Sequence, residues 1–301
     1  MFDFSVIIPH YNSPELLAKL INSIPQNKAI EVIVVDNSPS KIAKDEILST
    51  RDFKLIYSAP KRGAGGARNE GIKKANGKWL IFADADDYFT NDAFEIFYSY
   101  INSDSDIIYT LVQSIYIDSG KLAERGELYN QLVRDRLYGK IDDYTLRINY
   151  NVPWGKMIKS TFVKNNNFFF DEVIASNDIF FGMITGVNAD KVEVVDKVSY
   201  VVTTRYGSLT QRRNLQVLTS RYCVLLRYNK YLRSHGLSDY QSTSAARFLY
   251  MALSYGFVPF LKFLLLAIKY RQNLLLGIGS WVNAYKKMKN DDQKESKYRI
   301  K

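Results

Sequence analysis

The sequence predicts an α/β fold built on a mostly parallel β-sheet, and two observations carry that prediction. Short apolar segments alternate with segments of helical periodicity over the first hundred residues, which is the rhythm of parallel strands joined by crossover helices. Three of the apolar segments run directly into polar side chains, as expected at the carboxyl edge of an open α/β sheet, where ligands bind. With 301 residues and a hydrophobic content of 47%, the chain can form one large domain and a smaller appendage.

Buried strands and intervening helices are predicted in order along the chain. Ser13 and Pro14 open the first helix as an N-cap followed by a proline at the first helical position. The strands are expected at 5–9, 31–36, 53–57 and 79–83, and the helices between them from residue 14, at 42–48 and at 64–75. A further helix at 93–101, a strand at 106–112 and two edge strands at 192–195 and 198–203 are expected after them.

The end of the fourth strand carries three carboxylates within four positions, Asp84, Asp86 and Asp87. Such acids repel one another unless a cation or hydrogen-bond donors neutralise them. An Asp-x-Asp pair supplies hard oxygen ligands suited to Mg²⁺ or Mn²⁺, which bridge to substrate phosphates. The alternative is a strand end followed by a helix cap at Asn91 or Asp92. The position directly after a buried strand favours the metal site.

A glycine-rich basic segment at 61–71 follows the third strand. Its glycines would let the backbone approach a ligand closely, and its basic residues suit phosphate or a base edge. The segment lacks the Gly-Lys-Ser/Thr of a P-loop, and Arg68 stands where the third glycine of a dinucleotide fingerprint would be. Those two classes of nucleotide site are therefore disfavoured. His10 and His235 are expected to be ordinary loop or surface histidines, too few and too distant for a histidine metal site.

Four segments in this order resemble the successive signatures of the family 2 glycosyltransferases, enzymes with the GT-A fold. They are Val-Ile-Ile-Pro-His-Tyr-Asn at 6–12, Ile-Val-Val-Asp-Asn-Ser at 33–38, Gly-Ala-Arg-Asn-Glu-Gly at 66–71 and Phe-Ala-Asp-Ala-Asp-Asp at 82–87. The resemblance implies a nucleotide-sugar donor, commonly a UDP-sugar, and transfer with inversion at the anomeric carbon. One departure is Asn37, where many members have a second acid.

The resemblance also implies roles for single residues. Tyr11 would stack on the base, while Asp36 and Arg68 would contact its edge. Asp84 would hold the ribose region, and Asp86 would ligate Mn²⁺ or Mg²⁺ on the diphosphate. An aromatic ring offers any base a stacking face worth about 1–3 kcal/mol, and a carboxylate accepts the imide hydrogen of uracil. Packing of Tyr11 beneath the sheet edge is the alternative. The remaining nucleotide-binding candidates from the same segments are Pro9, Asn12 and Ala85.

Two later segments bear on catalysis. Trp-Gly-Lys at 154–156 is similar to the family's segment preceding the catalytic acid, and Asp178 matches the position of the catalytic base, with Asn177 where many relatives have Glu. The acceptor hydroxyl must lose its proton as it attacks, and a nearby carboxylate supplies general-base catalysis worth roughly 10²–10⁴-fold. The alternative for Asp178 is an acid that only complements a helix dipole.

A basic turn follows the last predicted strand. Arg205 is followed by Gly-Ser-Leu-Thr at 207–210, which resembles a loop that closes over the diphosphate in relatives. Arg205 is the candidate cation, and Ser208 or Thr210 would donate to phosphate. An exposed polar turn is the alternative.

Charge divides the chain. Residues 1–203 carry 23 Lys+Arg and 27 Asp+Glu, whereas residues 204–301 carry 18 and 4. This asymmetry, with apolar helices predicted at 245–255 and 259–270, points to an anionic membrane face. The apolar run at 263–268 is too short to span a bilayer, so a helix lying in the interface plane is expected. A solvated basic surface, a helical cap and an oligomer contact are the alternatives.

These features predict a metal-dependent, inverting glycosyltransferase that moves a sugar from a nucleotide-sugar to a hydroxyl of a saccharide or lipid-linked saccharide, for a bacterial-type cell-surface polysaccharide. We expect a GT-A domain at 1–210, with a nucleotide-binding half at 1–105 and an acceptor-binding half at 106–210. A basic helical extension at 211–285 and a disordered tail at 286–301 would follow.

Two other functions are disfavoured. A sugar-nucleotide pyrophosphorylase would show a glycine-rich basic loop directly after the first strand, where Pro-His-Tyr-Asn stands at 9–12. A nucleic-acid partner is not expected, because the basic third contains no recognised reading module. The single Cys223 and the absence of an apolar leader predict a cytoplasmic protein, held peripherally at the inner face of the cell membrane.

Overall fold

The computed structural model describes residues 2–204 and 214–275. The chain divides into two compact units, Met1–Arg212 and Arg213–Lys301. Arg205, Ser208 and the tail expected at 286–301 lie outside the described residues.

The amino-terminal unit is built on an eight-stranded sheet, whose strands are β1 (Phe2–His10), β2 (Ile30–Asp36), β3 (Lys54–Tyr57), β4 (Gly77–Phe82), β5 (Tyr88–Phe89), β6 (Ile107–Tyr116), β7 (Lys156–Lys159) and β8 (Val192–Thr204). Their spatial order is β3-β2-β1-β4-β7-β6-β8-β5. The pairs β3–β2, β2–β1, β1–β4 and β6–β8 are parallel. Strand β7 runs antiparallel to both of its neighbours, and β5 antiparallel to β8.

Helices cover both faces of this sheet, and two apolar cores form because neighbouring residues of a strand point to opposite faces. The described helices of this unit are α1 (Pro14–Asn22), α2 (Gly63–Lys74), α3 (Ala93–Ser99), α4 (Glu127–Leu137), α5 (Asp143–Asn149), α6 (Ser160–Asn165) and α7 (Ile179–Asn188). Val6 and Ile8 pack in one core with α1 and α3 residues such as Leu17 and Phe97. Ile7 packs in the other core, where α2, α4, α5 and α7 contribute residues such as Phe181.

Two predicted elements differ from the structure. The helix expected at 42–48 is only a 3₁₀ turn at Lys44–Glu46. Ile42 and Ile47 are buried five positions apart and Leu48 is exposed, so these apolar residues fix a loop and form no helical stripe. The two edge strands expected near residue 200 form the single strand β8, and the short β5 lies outside it. The register of β8 on β6 shifts opposite Thr110–Val112, which absorbs the polar residues that interrupt the alternation.

Residues 214–275 of the carboxy-terminal unit form three further α-helices, α8 (Leu215–Ser234), α9 (Ala245–Leu253) and α10 (Phe257–Lys269). Asn214 caps α8 by accepting a hydrogen bond from the Val217 amide at 2.8 Å. The core of the unit joins all three helices, and the rings of Tyr222 and Phe263 stack at 4.6 Å. Among the helices that the structure describes, none has the length and apolar character needed to cross a bilayer.

Candidate active site

Three strand ends meet at one edge of the sheet. His10 lies opposite Asp36 in the β1–β2 ladder, and Ile7 lies opposite Phe82 in the β1–β4 ladder. The Ala83 amide continues the second ladder by donating to the Ile7 carbonyl at 3.1 Å. The polar residues that follow β1, β2 and β4 are therefore neighbours, as the sequence analysis expects.

A buried histidine organises the first of these ends. His10 Nε2 accepts a hydrogen bond from the Ser13 amide at 3.0 Å, so the ring proton of the neutral imidazole is on Nδ1. His10 Nδ1 lies 3.0 Å from Asp36 Oδ1, and both side chains are fully buried. The expectation of an ordinary loop or surface histidine is wrong for His10, because the imidazole joins β1 to β2.

Asp36 is held by a complete set of donors. Its Oδ1 accepts from the Ser38 hydroxyl at 2.5 Å and the Ser38 amide at 3.1 Å, and its Oδ2 accepts from the Ile42 amide at 3.1 Å. Burial raises the pKa of Asp36, but the hydrogen bonds from Ser38, Ile42 and His10 outweigh it and hold the pKa below the usual value. Asp36 is therefore an ionised carboxylate that fixes the turn after β2.

The segment after β1 is shaped by the same turn. The Asn12 amide donates to the Ser38 hydroxyl at 2.9 Å, and Asn12 adopts a left-handed conformation with φ of 49°. Tyr11, between this residue and His10, is 55% exposed. Packing of Tyr11 beneath the sheet edge does not occur, and its ring is open to a ligand. Pro9 is buried within β1, opposite Val35.

The acidic segment after β4 presents its carboxylates in different environments. Asp84 is partly exposed, and its amide donates to the Tyr200 hydroxyl at 2.8 Å. Asp86 is exposed and its carbonyl accepts from the Thr203 hydroxyl, whereas Ala85 between them is buried. Asp87 is buried, and its Oδ1 accepts from the Thr203 amide at 2.7 Å, while its Oδ2 has no hydrogen-bond partner among the described residues. Burial, followed by the charges of Asp86 and Asp84, raises the pKa of Asp87 well above the usual value.

This segment suits a hard divalent cation. Within the part of the chain that the structure describes, no three His, Cys, Asp or Glu residues form a closed cage. Mg²⁺ does not require one, because it keeps several waters and is commonly held by one or two carboxylates together with substrate phosphates. The exposed Asp86 beside the partly exposed Asp84 offers that kind of open site.

Arg68 connects the acidic segment to a distant part of the chain. Its Nη2 donates to Asp84 Oδ1 at 2.5 Å, and its Nη1 donates to Asn177 Oδ1 at 2.8 Å. The guanidinium also lies 5.2 Å from the ring centre of Phe170 and is almost fully buried. The segment after β4 and the residue preceding Asp178 are therefore joined by one cation.

Most of the glycine-rich segment lies in helix α2, and its glycines pack against other segments of the chain. A Cβ at Gly65 would lie 2.0 Å from the Asp171 carbonyl oxygen, and one at Gly71 would lie 2.3 Å from the Ile7 side chain. Asn69 clamps the same segment, since its Nδ2 donates to the Phe170 carbonyl at 2.9 Å and its Oδ1 accepts from the Phe170 amide at 2.8 Å. The expected close approach of this backbone to a ligand is therefore replaced by close packing against the chain that leads to Asp178.

Asp178 immediately precedes α7 and lies near a buried lysine. Burial raises the pKa of Asp178, and the charges of Arg68 and Lys156 oppose that rise. Lys156 donates to the Tyr150 carbonyl at 2.9 Å and lies over the rings of Tyr109 and Tyr150. Burial lowers the pKa of Lys156 to about 7, against the opposing charge of Asp178.

Lys156 reaches this position because β7 runs antiparallel to β4. Met157 pairs with Ile81, so the amino end of β7 lies beside the carboxyl end of β4. The Trp-Gly-Lys segment is recognisable in the sequence, but the buried position of its lysine was not predicted. The sequence signal for this buried position is a lysine at the start of a short strand, shortly after the aromatic residues Tyr150 and Trp154.

The family follows from comparison with known proteins. The model described as Glycosyl transferase family 2 matches residues 5–161, which is just over half of the chain. The chain belongs to glycosyltransferase family 2. The matched span contains the ends of β1, β2 and β4, helix α2 and the Trp-Gly-Lys segment, so the predicted resemblance is confirmed.

Curated relatives of this family 2 chain are glycosyltransferases. It is 27% identical over 218 residues to the poly(ribitol-phosphate) beta-N-acetylglucosaminyltransferase TarS of Staphylococcus aureus, a match that covers 69% of this chain and 36% of TarS. An uncharacterized glycosyltransferase of Methanocaldococcus jannaschii is 26% identical over 231 residues, covering 73% of this chain and 77% of the relative. The chain thus spans about a third of the length of TarS.

Solved structures support the fold of this family 2 member. The crystal structure of S. aureus TarS 1–349 in complex with UDP-GlcNAc superposes with a TM-score of 0.64 at 23% identity, covering 84% of this chain and 73% of that one. The structure of the same TarS fragment with UDP gives a TM-score of 0.59. The predicted α/β fold of the GT-A type is confirmed.

Proposed function

We propose that this glycosyltransferase is a metal-dependent, inverting enzyme that transfers a sugar from a UDP-sugar to a hydroxyl of a saccharide or lipid-linked saccharide during the synthesis of a cell-surface polysaccharide. The observation that carries the proposal is the Arg68 bridge, which unites Asp84 and the residue next to Asp178 in one site. The names of TarS and of the poly(ribitol-phosphate) beta-glucosyltransferase of Bacillus spizizenii, both similar in sequence, support a cell-surface acceptor.

In this proposal the ends of β1 and β2 bind the nucleoside. The exposed ring of Tyr11 stacks on the base, which is worth about 1–3 kcal/mol. The Asp36 side chain is fully buried and engaged by His10, Ser38 and Ile42, so it supports the subsite by fixing the turn after β2. A contact of its Oδ2 with the imide N–H of uracil would require the donor to displace part of that turn. The buried network fixes this subsite before the donor arrives. Pro9 and Asn12 shape the turn on which Tyr11 stands.

The acidic segment holds the diphosphate end of the donor. Asp86 would hold Mn²⁺ or Mg²⁺, and Asp84 and Ala85 would line the ribose region, with Arg68 holding Asp84 in place. A divalent ion bound by Asp86 would supply positive charge for the departing nucleoside diphosphate. Arg205 and Ser208, beyond the described part of β8, are proposed to contact the same phosphates.

Asp178 acts as the general base. Its carboxylate takes the proton of the acceptor hydroxyl as that oxygen attacks the anomeric carbon on the face opposite the leaving diphosphate. Because burial raises the pKa of Asp178, the carboxylate is a stronger base than an exposed aspartate. The charges of Arg68 and Lys156 favour its ionised form and so oppose that rise in pKa. We assign the acceptor to the 106–210 half, which contributes Lys156 and Asp178, and place the enzyme in the cytoplasm.

Nucleotide titration tests the proposal. UDP, GDP, CMP and TDP are each added to the full chain with and without Mn²⁺, and binding is followed by calorimetry and thermal unfolding. We expect UDP to bind more tightly than the other nucleotides, and to do so only with the metal. Binding of GDP or CMP in preference to UDP, or no binding of any nucleotide, would refute the donor assignment.

A further inference from the structure

Helix α10 exposes large apolar side chains along one side. Phe257, Val258, Leu261, Leu265 and Ile268, here called the α10 face, are between 42% and 68% exposed. At 100° per residue these five positions fall within an arc of about 100°, so they form one continuous stripe. Contiguous apolar surface of this kind marks an interaction site in most soluble proteins.

The α10 face is not the side by which the helix joins its own unit. Phe263 and Ala267 lie on the opposite side of the helix and are buried in the core of the carboxy-terminal unit. The Phe263 ring stacks on Tyr222 of α8, which fixes the rotation of α10 about its axis. The helix is therefore apolar on two sides, and residues 214–275 pack against only one of them.

Basic residues accompany this stripe. Lys262 and Lys269 are exposed and fall together along one edge of the α10 face on the helical projection. Residues 214–275 contain eight Lys or Arg and a single acid, Asp239. The surface that α10 presents is therefore apolar at its centre and cationic at its border.

Exposed aromatic and apolar residues continue into the preceding segment. Tyr250, Leu253 and Tyr255, at the end of α9 and in the turn before α10, are between 41% and 58% exposed. Tyrosines with an apolar body and a polar tip suit the headgroup level of a bilayer.

We propose that the α10 face is a membrane-docking surface whose occupant is an anionic lipid bilayer, with α10 lying in the plane of the interface. The apolar stripe enters the acyl boundary while Lys262 and Lys269 meet the anionic headgroups. A second copy of this chain is a poorer occupant, because two units that each carry 18 basic and only four acidic residues at 204–301 would repel each other. An uncharged apolar partner would leave the two lysines without a role.

Flotation of the full-length protein with vesicles tests this surface. Vesicles of phosphatidylcholine alone are compared with vesicles that also contain phosphatidylglycerol, at low and at high salt. We expect the protein to float only with the anionic vesicles and to dissociate as salt rises. L261E/L265E should abolish flotation, and K262E/K269E should weaken binding about tenfold or more. The matched control is L48E/L122E, which changes two leucines of the amino-terminal unit that are 82% and 73% exposed and should float like the wild type.

Three results would overturn the proposal. The first is a wild type that stays in solution with anionic vesicles at low salt, and the second is an L261E/L265E variant that floats as the wild type does. The third is a dimer in sedimentation that only L261E/L265E dissociates, which makes a second copy the occupant. Every variant is checked by thermal unfolding and by metal-dependent UDP binding, which the α10 changes should not alter. Failure of the wild type to bind UDP would contradict the proposed glycosyltransferase mechanism and would leave the membrane-docking proposal unaffected.

Discussion

A single methyl group added at Gly65 should impair catalysis by Asp178, the proposed general base, without touching that residue. The new Cβ of Gly65→Ala would lie 2.0 Å from the Asp171 carbonyl oxygen, whereas ordinary contacts begin at 3.4 Å, so one partner must move by about 1.4 Å. Helix α2 is held against β1, where Gly71 leaves no room beside Ile7, so the segment after Phe170 is the part that yields.

That displacement reaches Asp178 through the backbone. The Asp171 amide donates to the Asn177 carbonyl at 3.1 Å, so the two ends of this segment move together. A catalytic group misplaced by about 1 Å costs on the order of 100-fold in rate, and overpacking of this kind costs about 1–3 kcal/mol of stability. We expect kcat to fall about 100-fold in Gly65→Ala.

Steady-state transfer kinetics, UDP calorimetry and thermal unfolding of the full chain measure these effects. Gly139→Ala is the control, because a Cβ there meets nothing within 4 Å and adds only the strain of a residue at φ of 68°. It should lose about 1–2 kcal/mol of stability without loss of kcat. A wild-type kcat in Gly65→Ala, or an equal loss in Gly139→Ala, would refute the reasoning.

Three further predictions concern the acids and the buried lysine. Asp86→Ala should remove the Mn²⁺ dependence of UDP binding measured by calorimetry; dependence that persists would assign the metal to other residues. Asp178→Asn should lower kcat by roughly 10²–10⁴-fold while UDP affinity is kept, and loss of both together would mean that the residue supports the fold. Because burial raises the pKa of Asp178, the rate should fall as pH drops through a value above that of an ordinary aspartate. Lys156→Met removes a charge that favours the carboxylate, so this acidic limb of the kcat profile should move to higher pH; an unmoved limb would separate Lys156 from the base.

The strand ends were predictable from sequence because each is a local pattern. A buried run that stops at a carboxylate, as at Asp36 and Asp84, specifies both a strand and its polar end. The partners of Arg68 were not predictable, since Asn177 lies 109 positions away and no local pattern relates the two. His10 was misjudged for a similar reason. Its burial depends on Asp36 of the neighbouring strand.

The glycines of α2 and Lys156 also show which features a local sequence pattern predicts and which depend on the tertiary fold. The motif at 66–71 identified the family, but the use of Gly65 and Gly71 for packing depends on which segments the fold brings against α2. Lys156 would be a surface residue by composition alone, and only the reversed strand β7 carries it inward.

The reversed strand also limits how the enzyme can move. Met157 of β7 pairs with Ile81 on one side and with Ile108 on the other, so β7 joins the strands of residues 1–105 to those of residues 106–210, the parts proposed to bind the nucleotide and the acceptor. A hinge opening between these two parts would break backbone hydrogen bonds at the centre of the sheet. We therefore expect any movement that admits substrates to occur in segments at the rim of the sheet, while β4, β7 and β6 stay joined.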